Sequence, residues 1–316
     1  MIRILDGGMG RELLRMGAPF KQPEWSALAL IEAPEYVRAA HDAFVRAGAD
    51  VVTTNSYAVV PFHIGAERFA QQGVALADRA GRLAREAASA AGTARAVQVA
   101  GSLPPVFGSY RPDLFDAQQA APLLDALVRG LDAHVDLWLG ETLSSTAEAR
   151  AVRKALSDRG ERGEDQRPLW LSFTLDDSGD VQAIAEGRAR ARLRSGETVE
   201  AAVEVALELG AQAFLFNCSQ AEIMRAAVQE ARVVRERKGA SLELGVYANA
   251  FEPERESMAA NDGLSTLRAD LEPDGYAAFA RAWAQAGATL IGGCCGIGPE
   301  HIERLASVVR DSAHSA

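Results

Sequence analysis

Eight short apolar runs recur along the chain, each ending in small or polar residues: Ile2–Gly8, Asp50–Ser56, Ala96–Leu103, Val135–Thr142, Leu169–Leu175, Ala211–Ser219, Leu242–Ala250 and Ala288–Cys295. Runs this short, rich in β-branched and aromatic side chains, predict strands buried on both faces. Between them lie longer stretches rich in Ala, Arg, Glu and Leu, such as Pro61–Ala91 and Thr198–Leu209, which favour helix. Pro34 before Glu35-Tyr-Val-Arg38 and Pro299 before Glu300-His-Ile-Glu303 fit helix first turns. Alternation of this kind predicts βα units around a parallel sheet. Eight units favour a sheet closed into a (β/α)8 TIM barrel over an open, doubly wound one.

No linker or shift of composition divides the chain, so residues 1–316 read as one barrel domain, a length such barrels reach. Gly160-Glu-Arg-Gly-Glu-Asp-Gln-Arg167 reads as the loop entering the fifth strand, and the last dozen residues as a fraying helix end. Alanine, arginine and glutamate recur without a period, so no internal repeat is assigned. An apolar fraction of 48% and a charged fraction of 24% are those of an ordinary globular chain. The net charge of −10 argues against nucleic acid as a partner, because phosphate binding needs a basic face. The nearest basic run, Arg235-Glu-Arg-Lys238, is interrupted by Glu236 and reads as a solvated helix end. No apolar segment is long enough to span a bilayer, so no membrane partner is expected. The chain enters a strand within its first residues, which leaves no room for a secretory signal. Three cysteines without a disulfide-like framework fit a reducing cytoplasm.

In a barrel of this kind the chemistry belongs at the C-terminal ends of the strands. Those ends carry Asp6 after the first, Asn55 and Tyr57 after the second, and Glu141 after the fourth. Asn217 and Cys218 stand at the sixth, Asn249 at the seventh, and Cys294 and Cys295 at the eighth. Every cysteine of the chain therefore gathers at one rim. Successive strand residues point to opposite faces, so adjacent cysteines can serve one centre only where the backbone leaves strand geometry. Gly292, Gly293, Gly296 and Gly298 permit that. Three thiolates with one open position are a form of catalytic zinc site, and the open position takes a substrate. Two plainer readings stand beside it: cysteines as small buried hydrophobes, and a glycine pair that cradles phosphate.

Other chemistries are disfavoured. A Schiff-base enzyme needs a desolvated lysine at a strand end, whereas Lys21, Lys154 and Lys238 fall in loops or on helices. A hydrolytic metal site would normally show histidines there. His41 and His301 are in helical stretches, His63 follows strand two, His134 precedes a strand and His314 is in the tail. An all-sulfur zinc is a poor Lewis acid for water and a good template for a further thiol. A free thiol has a pKa of ~8.5, so ionising it at neutral pH costs about 2 kcal/mol, a cost that zinc coordination removes. The reaction implied is attack by a substrate thiolate on an electrophilic carbon. Asp6 and Glu141 suit an ammonium group on the thiol's carrier, hence an amino acid. Their structural alternatives are a cap on a short helix Arg11–Met16 for Asp6, and a cap or a pairing with Arg150 for Glu141.

At these residues the chain resembles the homocysteine S-methyltransferase family. The carriers are Leu5-Asp-Gly-Gly-Met-Gly10, Trp25-Ser-Ala27, Ala47-Gly-Ala-Asp-Val-Val-Thr-Thr-Asn-Ser-Tyr57, Glu141-Thr-Leu143, Asn217-Cys-Ser219 and Gly292-Gly-Cys-Cys-Gly296 followed by Pro299-Glu-His-Ile302. The Asn-Cys and Gly-Gly-Cys-Cys-Gly pair is the most specific of these. The resemblance implies a zinc-dependent barrel that moves a methyl group to homocysteine and yields methionine. It implies Cys218, Cys294 and Cys295 as zinc ligands, with Glu141 joining them in catalysis. Asp6 and Glu141 match acids that contact homocysteine's amino group, and Trp25 and Tyr57 match aromatic positions near the substrates. The strand-end amides Asn55, Asn217 and Asn249 complete the expected substrate set.

Two loops depart from the family pattern. Where relatives commonly read Gly-Ser-Val-Gly-Pro after strand three, this chain has Gly101-Ser-Leu-Pro-Pro-Val-Phe-Gly-Ser-Tyr110. Where they often read Pro-Asn-Ala after strand seven, it has Ala248-Asn-Ala250. Both loops lie where a methyl donor would enter. The chain ends soon after its eighth strand, without the folate and cobalamin modules of methionine synthase or the long extension of betaine-dependent relatives. A small sulfonium donor, S-methylmethionine or S-adenosylmethionine, is therefore expected. The alternatives are another methyl donor, another thiol or selenol acceptor, a zinc or redox sensor without catalysis, and a barrel acting on a phosphorylated substrate. A sensor has no need of the rim acids, and the phosphate reading leaves Cys218 unexplained.

Overall fold

The computed structural model describes residues 2–92, 95–158, 163, 165–252 and 266–312. Its strands are β1 Arg3–Ile4, β2 Val51–Thr53, β3 Gln98–Leu103, β4 Leu137–Leu143, β5 Leu169–Phe173, β6 Ala213–Asn217, β7 Glu243–Ala248 and β8 Leu290–Gly293. Each falls in one of the eight expected runs, β4 extending one residue beyond its run. All pair in parallel, in the order β1-β8-β7-β6-β5-β4-β3-β2. Leu5 bridges Val51 to close the ring, with the Asp6 N–H on the Val51 carbonyl at 3.0 Å and the Asp50 N–H on the Ile4 carbonyl at 2.6 Å. The fold is the (β/α)8 barrel.

Side-chain alternation splits the apolar residues into two cores. Leu5, Val51, Ala100, Leu137, Leu139, Trp170, Ala213, Leu215, Tyr247 and Leu290 fill the barrel interior, and a larger cluster lies between strands and helices. With a side-chain period of two, the next inward positions toward the mouth are Ser102, Glu141 and Asn217. An apolar plug thus gives way to a polar layer within one step along each strand.

The helices follow their signals. Pro34 opens Pro34–Ala47, and the Thr198 hydroxyl caps Val199–Glu208 by accepting from the Ala201 N–H at 3.1 Å. The Pro61–Ala91 stretch is two helices, Pro61–Ile64 and Ala66–Ala90, parted at Gly65, whose φ of +81° is left-handed. The short first helix is Met9–Arg15. Helix Ala221–Arg237 does end in solvated ion pairs, Arg237 with Glu200 and Lys238 with Glu204. Of the charged loop before β5, Asp165 and Arg167 pair at 2.6 Å, and Asp165 accepts from the Trp138 indole at 3.0 Å. The rest of that loop, apart from Gly163 and Gln166, lies outside the described residues, as do the four residues after helix Pro299–Ser312. Among the described residues no helix is long and apolar enough to cross a membrane.

The outer ring is packed closely enough to test. Gly130, in helix Ala117–Leu131, faces helix Ala66–Ala90, and a Cβ there would stand 2.5 Å from the Val74 carbonyl oxygen. Helix propensity alone would favour alanine by about 1 kcal/mol. Overpacking against a backbone atom costs about 1–3 kcal/mol and should win. Gly130→Ala is expected to lower the urea midpoint; a raised midpoint would show that the two helices can separate without penalty.

Candidate functional site

A cavity of about 460 Å³ opens at the mouth of the barrel. β6 ends at Asn217, and Cys218 takes φ +51°, a left-handed conformation unusual for a side chain of this kind, with its N–H on the Tyr247 carbonyl at 3.1 Å. β8 ends at Gly293, and the Cys294 N–H carries its ladder one step further, to the Ala248 carbonyl at 2.9 Å. The chain then turns through Cys295 and Gly296, whose φ is +88°. A Cβ on Gly293 would meet Ile297 Cγ2 at 2.1 Å, so only glycine lets the chain fold back here. Two departures from strand geometry therefore bring three thiols together.

The Sγ atoms lie 2.9 Å apart for Cys218 and Cys294, 3.7 Å for Cys218 and Cys295, and 4.0 Å for Cys294 and Cys295. Ligands about 2.3 Å from a tetrahedral ion stand about 3.8 Å from one another, so two of the separations already match and the third needs a small opening. Among the described residues these three are the group whose ligand atoms converge as a metal would require, and the donors are all sulfur. Donation from the Cys294 and Cys295 thiols holds Cys218 well below the ordinary thiol range, while the other two are held above it.

Asp6 and Glu141 enter the same cavity. Neither takes its structural alternative. Helix Met9–Arg15 starts at Gly8 without a side-chain cap, and Arg150 pairs with Glu208 at 2.7 Å. Asp6 instead accepts from the Thr53 N–H at 2.7 Å and the Thr53 hydroxyl at 3.2 Å; Glu141 accepts from the Ser102 hydroxyl at 2.5 Å. Burial pushes Asp6 up to about 8, helped by the charge of Glu141. Burial also pushes Glu141 up to about 7, helped by the Cys218 thiolate. Two acids poised near neutrality in a cavity are matched to a cation brought in from outside.

The remaining expected residues divide. Trp25, at φ +49°, lies edge-on to Phe20 with ring centres 5.6 Å apart, and the Tyr57 hydroxyl meets the Ser109 hydroxyl at 2.6 Å. Asn55 donates to the Ser26 carbonyl at 3.1 Å, and Asn249 accepts from the Phe251 N–H at 3.2 Å. All four line the cavity. Asn217 does not. It is fully buried, donates to the Thr142 hydroxyl at 2.8 Å and accepts from the Ser172 hydroxyl at 2.7 Å, so it braces the Cys218 corner against β4 and β5.

Sequence reasoning missed Thr53, Ser102, Tyr247, Asp177 and Arg194. Strand alternation could have found the first three, since Ser102 lies two residues beyond Ala100 and Tyr247 two before Asn249. Asp177 and Arg194 sit in the segment after β5, which carries no motif. The atypical loop after β3 delivers Tyr110, at φ +64°, into the cavity that holds the thiols. The altered segment after β7 serves the cysteines directly: the Ala250 N–H donates to the Cys295 carbonyl at 2.9 Å.

The family model for homocysteine S-methyltransferase matches residues 3–309. Homocysteine S-methyltransferase of Escherichia coli is 31% identical over 96% of this chain and 94% of its own length. A selenocysteine methyltransferase of Astragalus bisulcatus is 25% identical over 97% and 92%. Among solved structures, the metallated form of the homocysteine methyltransferase MmuM from Escherichia coli aligns with a TM-score of 0.73 at 30% identity, covering 97% of this chain and 96% of that one.

The raised carboxyls make a prediction for the metal-free, ligand-free protein. An acid whose folded pKa exceeds its unfolded value leaves stability untouched below the unfolded pKa and lowers it as pH climbs toward the folded one. For Glu141 the window runs from 4.5 to about 7. The full penalty is roughly 3 kcal/mol at about 1.4 kcal/mol per unit. Glu141→Gln should flatten the loss of stability between pH 5 and pH 8 in urea titrations. Parallel profiles for the two proteins would show that Glu141 ionises as an ordinary surface acid.

Proposed function

We propose that this chain, which belongs to the homocysteine S-methyltransferase family, is a zinc-dependent methyltransferase that carries a methyl group from a sulfonium donor to homocysteine, giving methionine. Membership makes it a methyltransferase; zinc, the donor and the residue roles are our reading. The observation that carries this reading is the meeting of three thiols and two buried acids at one barrel mouth. Cys218, Cys294 and Cys295 would hold the ion. Soft, all-sulfur donors suit zinc among the common divalent metals, and a metallated form of the Escherichia coli relative exists. Zinc, when bound, would hold the homocysteine thiol deprotonated at neutral pH.

The other residues orient the substrates. Asp6 and Glu141 take homocysteine's ammonium group between them, which restores both carboxylates to their charged forms. The amino acid is then held at both ends, sulfur toward the cysteines and nitrogen toward the acids. Trp25, Tyr57 and Tyr110 border the space above it, and aromatic faces attract a sulfonium by roughly 0.5–2 kcal/mol each. The anionic floor of thiolates and carboxylates favours a cationic donor, S-methylmethionine or S-adenosylmethionine, over a neutral one. In the transfer the homocysteine sulfur forms its bond to the methyl carbon as the bond from that carbon to the sulfonium sulfur breaks. The donor leaves as a neutral thioether. No proton moves in that step, so no side chain need act as base. A working site of three thiolates would suit a reducing compartment such as the cytoplasm.

Metal analysis and substrate binding on one preparation test the division of labour. Cys218→Ser should strip most of the zinc, whereas Asp6→Ala and Glu141→Ala should keep it and weaken homocysteine binding by roughly ten- to a hundredfold, the scale of one charge-assisted hydrogen bond. Full zinc occupancy in Cys218→Ser would refute the ligand set. A donor panel tests the rest: methionine should form from S-methylmethionine or S-adenosylmethionine. Turnover with betaine or methylcobalamin, and none with either sulfonium, would overturn the donor assignment and leave the metal reading standing.

A further inference from the structure

After β5 the chain runs through Leu175–Asp177 and returns antiparallel at Arg192–Leu193, with Leu193 bridging Leu175 and the Asp176 N–H on the Arg192 carbonyl at 2.8 Å. The Arg194 N–H then donates to the Thr174 carbonyl at 3.2 Å. This pairing fixes the Arg194 backbone directly above β5. Its side chain, 23% exposed, lines the cavity that holds the three thiols.

The guanidinium is held on two sides. One terminal nitrogen pairs with Asp177 Oδ1 at 2.5 Å, and the other Asp177 oxygen accepts from the Gln220 N–H at 2.9 Å, two residues from Cys218. Its plane lies over the Tyr110 ring, 4.7 Å from the ring centre. Tyr110 reaches that position through a left-handed backbone, φ +64°, a conformation that carries strain in a non-glycine residue and is characteristic of functional sites. Arg194 Nε is buried without a hydrogen-bond partner. A guanidinium has five N–H donors, and among the described residues Asp177 is the only hydrogen-bond partner of the Arg194 guanidinium. A cation has thus been clamped in orientation and left with donors to spare.

We infer that Arg194, set by Asp177 and Tyr110, is the anchor for the carboxylate of an amino-acid sulfonium donor. The inference rests on the methyl-transfer reading above and adds the subsite that recognises the donor's far end. An arginine fork matches a carboxylate in plane and spacing. Of the cavity's other arginines, Arg111 is engaged with Asp113 at the surface through two bonds of 2.8 and 2.7 Å, and Arg11 stands over Phe251.

The carboxylate belongs to the donor rather than to homocysteine. An α-carboxylate and an α-ammonium share one carbon and lie a few ångströms apart. Homocysteine could reach both Arg194 and the acid pair only if Arg194 stood beside Asp6 and Glu141. Asp6 and Glu141 are bonded at the strand ends themselves, to Thr53 and Ser102, whereas Arg194 is held past the end of β5 by Thr174, Asp177 and the Tyr110 ring. Arg194 therefore serves a second amino acid. A donor seated there would place its carboxylate on the free N–H groups of Arg194 and send its sulfonium toward the thiols.

The test compares S-methylmethionine with its α-carboxamide, which keeps the sulfonium and the ammonium and lacks the carboxylate. Zinc-loaded wild type should prefer the carboxylate donor, both in KM and in calorimetric binding with homocysteine present. Arg194→Gln should raise KM for S-methylmethionine by roughly ten- to a hundredfold and abolish the preference over the amide, with homocysteine KM and zinc content unmoved. Arg194→Lys, which keeps the charge and loses the fork, should fall between them. Retained preference in Arg194→Gln, a rise in homocysteine KM instead, or equal binding of acid and amide by wild type would overturn the anchor. Calorimetry reads the anchor without turnover. Carboxylate-dependent binding with no methyl transfer would sink the functional reading and leave the anchor in place.

Discussion

The site depends on a backbone constraint: β6 and β8 must both stop being strands at the residues that carry sulfur. A regular strand separates adjacent side chains onto opposite faces, so Cys294 and Cys295 could not converge within one. The turn through Cys295 and Gly296 and the left-handed Cys218 resolve this at opposite sides of the β7 end. The β7 backbone ties the two corners together, because Tyr247 accepts from Cys218, Ala248 accepts from Cys294 and Ala250 donates to Cys295. Asn217 then locks the first corner to β4 and β5. The thiols are consequently held by main-chain bonds rather than by their own packing, and a ligand set fixed in that way loses little freedom when it closes on an ion.

The apolar plug explains the acids. Leu139 and Leu215 lie one inward step below Glu141 and Asn217, so the polar layer rests on a floor that water does not reach. A carboxyl there is costly to ionise, and both Asp6 and Glu141 drift toward neutrality. Each is held by a hydroxyl or amide donor, which supplies hydrogen bonds but no counter-charge. An ammonium group placed between them would offset that cost, which on the proposed reading couples substrate recognition to the low dielectric of the barrel interior.

Much of this was legible in the sequence, and the parts that were not have a common cause. The eight strands could be read because burial on both faces leaves an apolar run, and the three cysteines because glycines mark where a strand must end. Asp6, Glu141, Tyr57, Asn55 and Asn249 reach the cavity because they sit at or just past strand ends, where topology decides their address, and Trp25 reaches it from the start of helix Ser26–Glu32. Asn217 has a strand-end address too, but its amide is taken up by Thr142, Ser172 and, at 4.0 Å, the Cys294 sulfur, a pairing across strands that no spacing reveals. Gly65 divides a long helical stretch because a left-handed turn is needed there, whereas Gly73 and Gly81 stay within the second helix; glycine alone does not say which. Arg194 and Asp177 lay beyond reach because loops obtain their geometry from what they pack against; Tyr110 was in view as part of the loop at the donor's entrance, but its contact with Arg194 was not.

These loop residues complete a gradient of charge along the cavity. At the floor are the thiols and the two acids, all anionic or able to become so. Higher up come the aromatic rings, which tolerate a cation and add no charge. Arg194 lies over one of those rings, a cation whose own counter-ion, Asp177, stands beside it. A zwitterionic amino acid with a positive sulfur carries its charges in a compatible order when the sulfonium points down and the carboxylate points out. Reversed, the carboxylate would face thiolates and acids, a like-charge contact that costs several kcal/mol in a water-poor site. On the proposed reading the barrel would need no tight grip on the donor to present its methyl group, since the wrong orientation would be repelled at both ends.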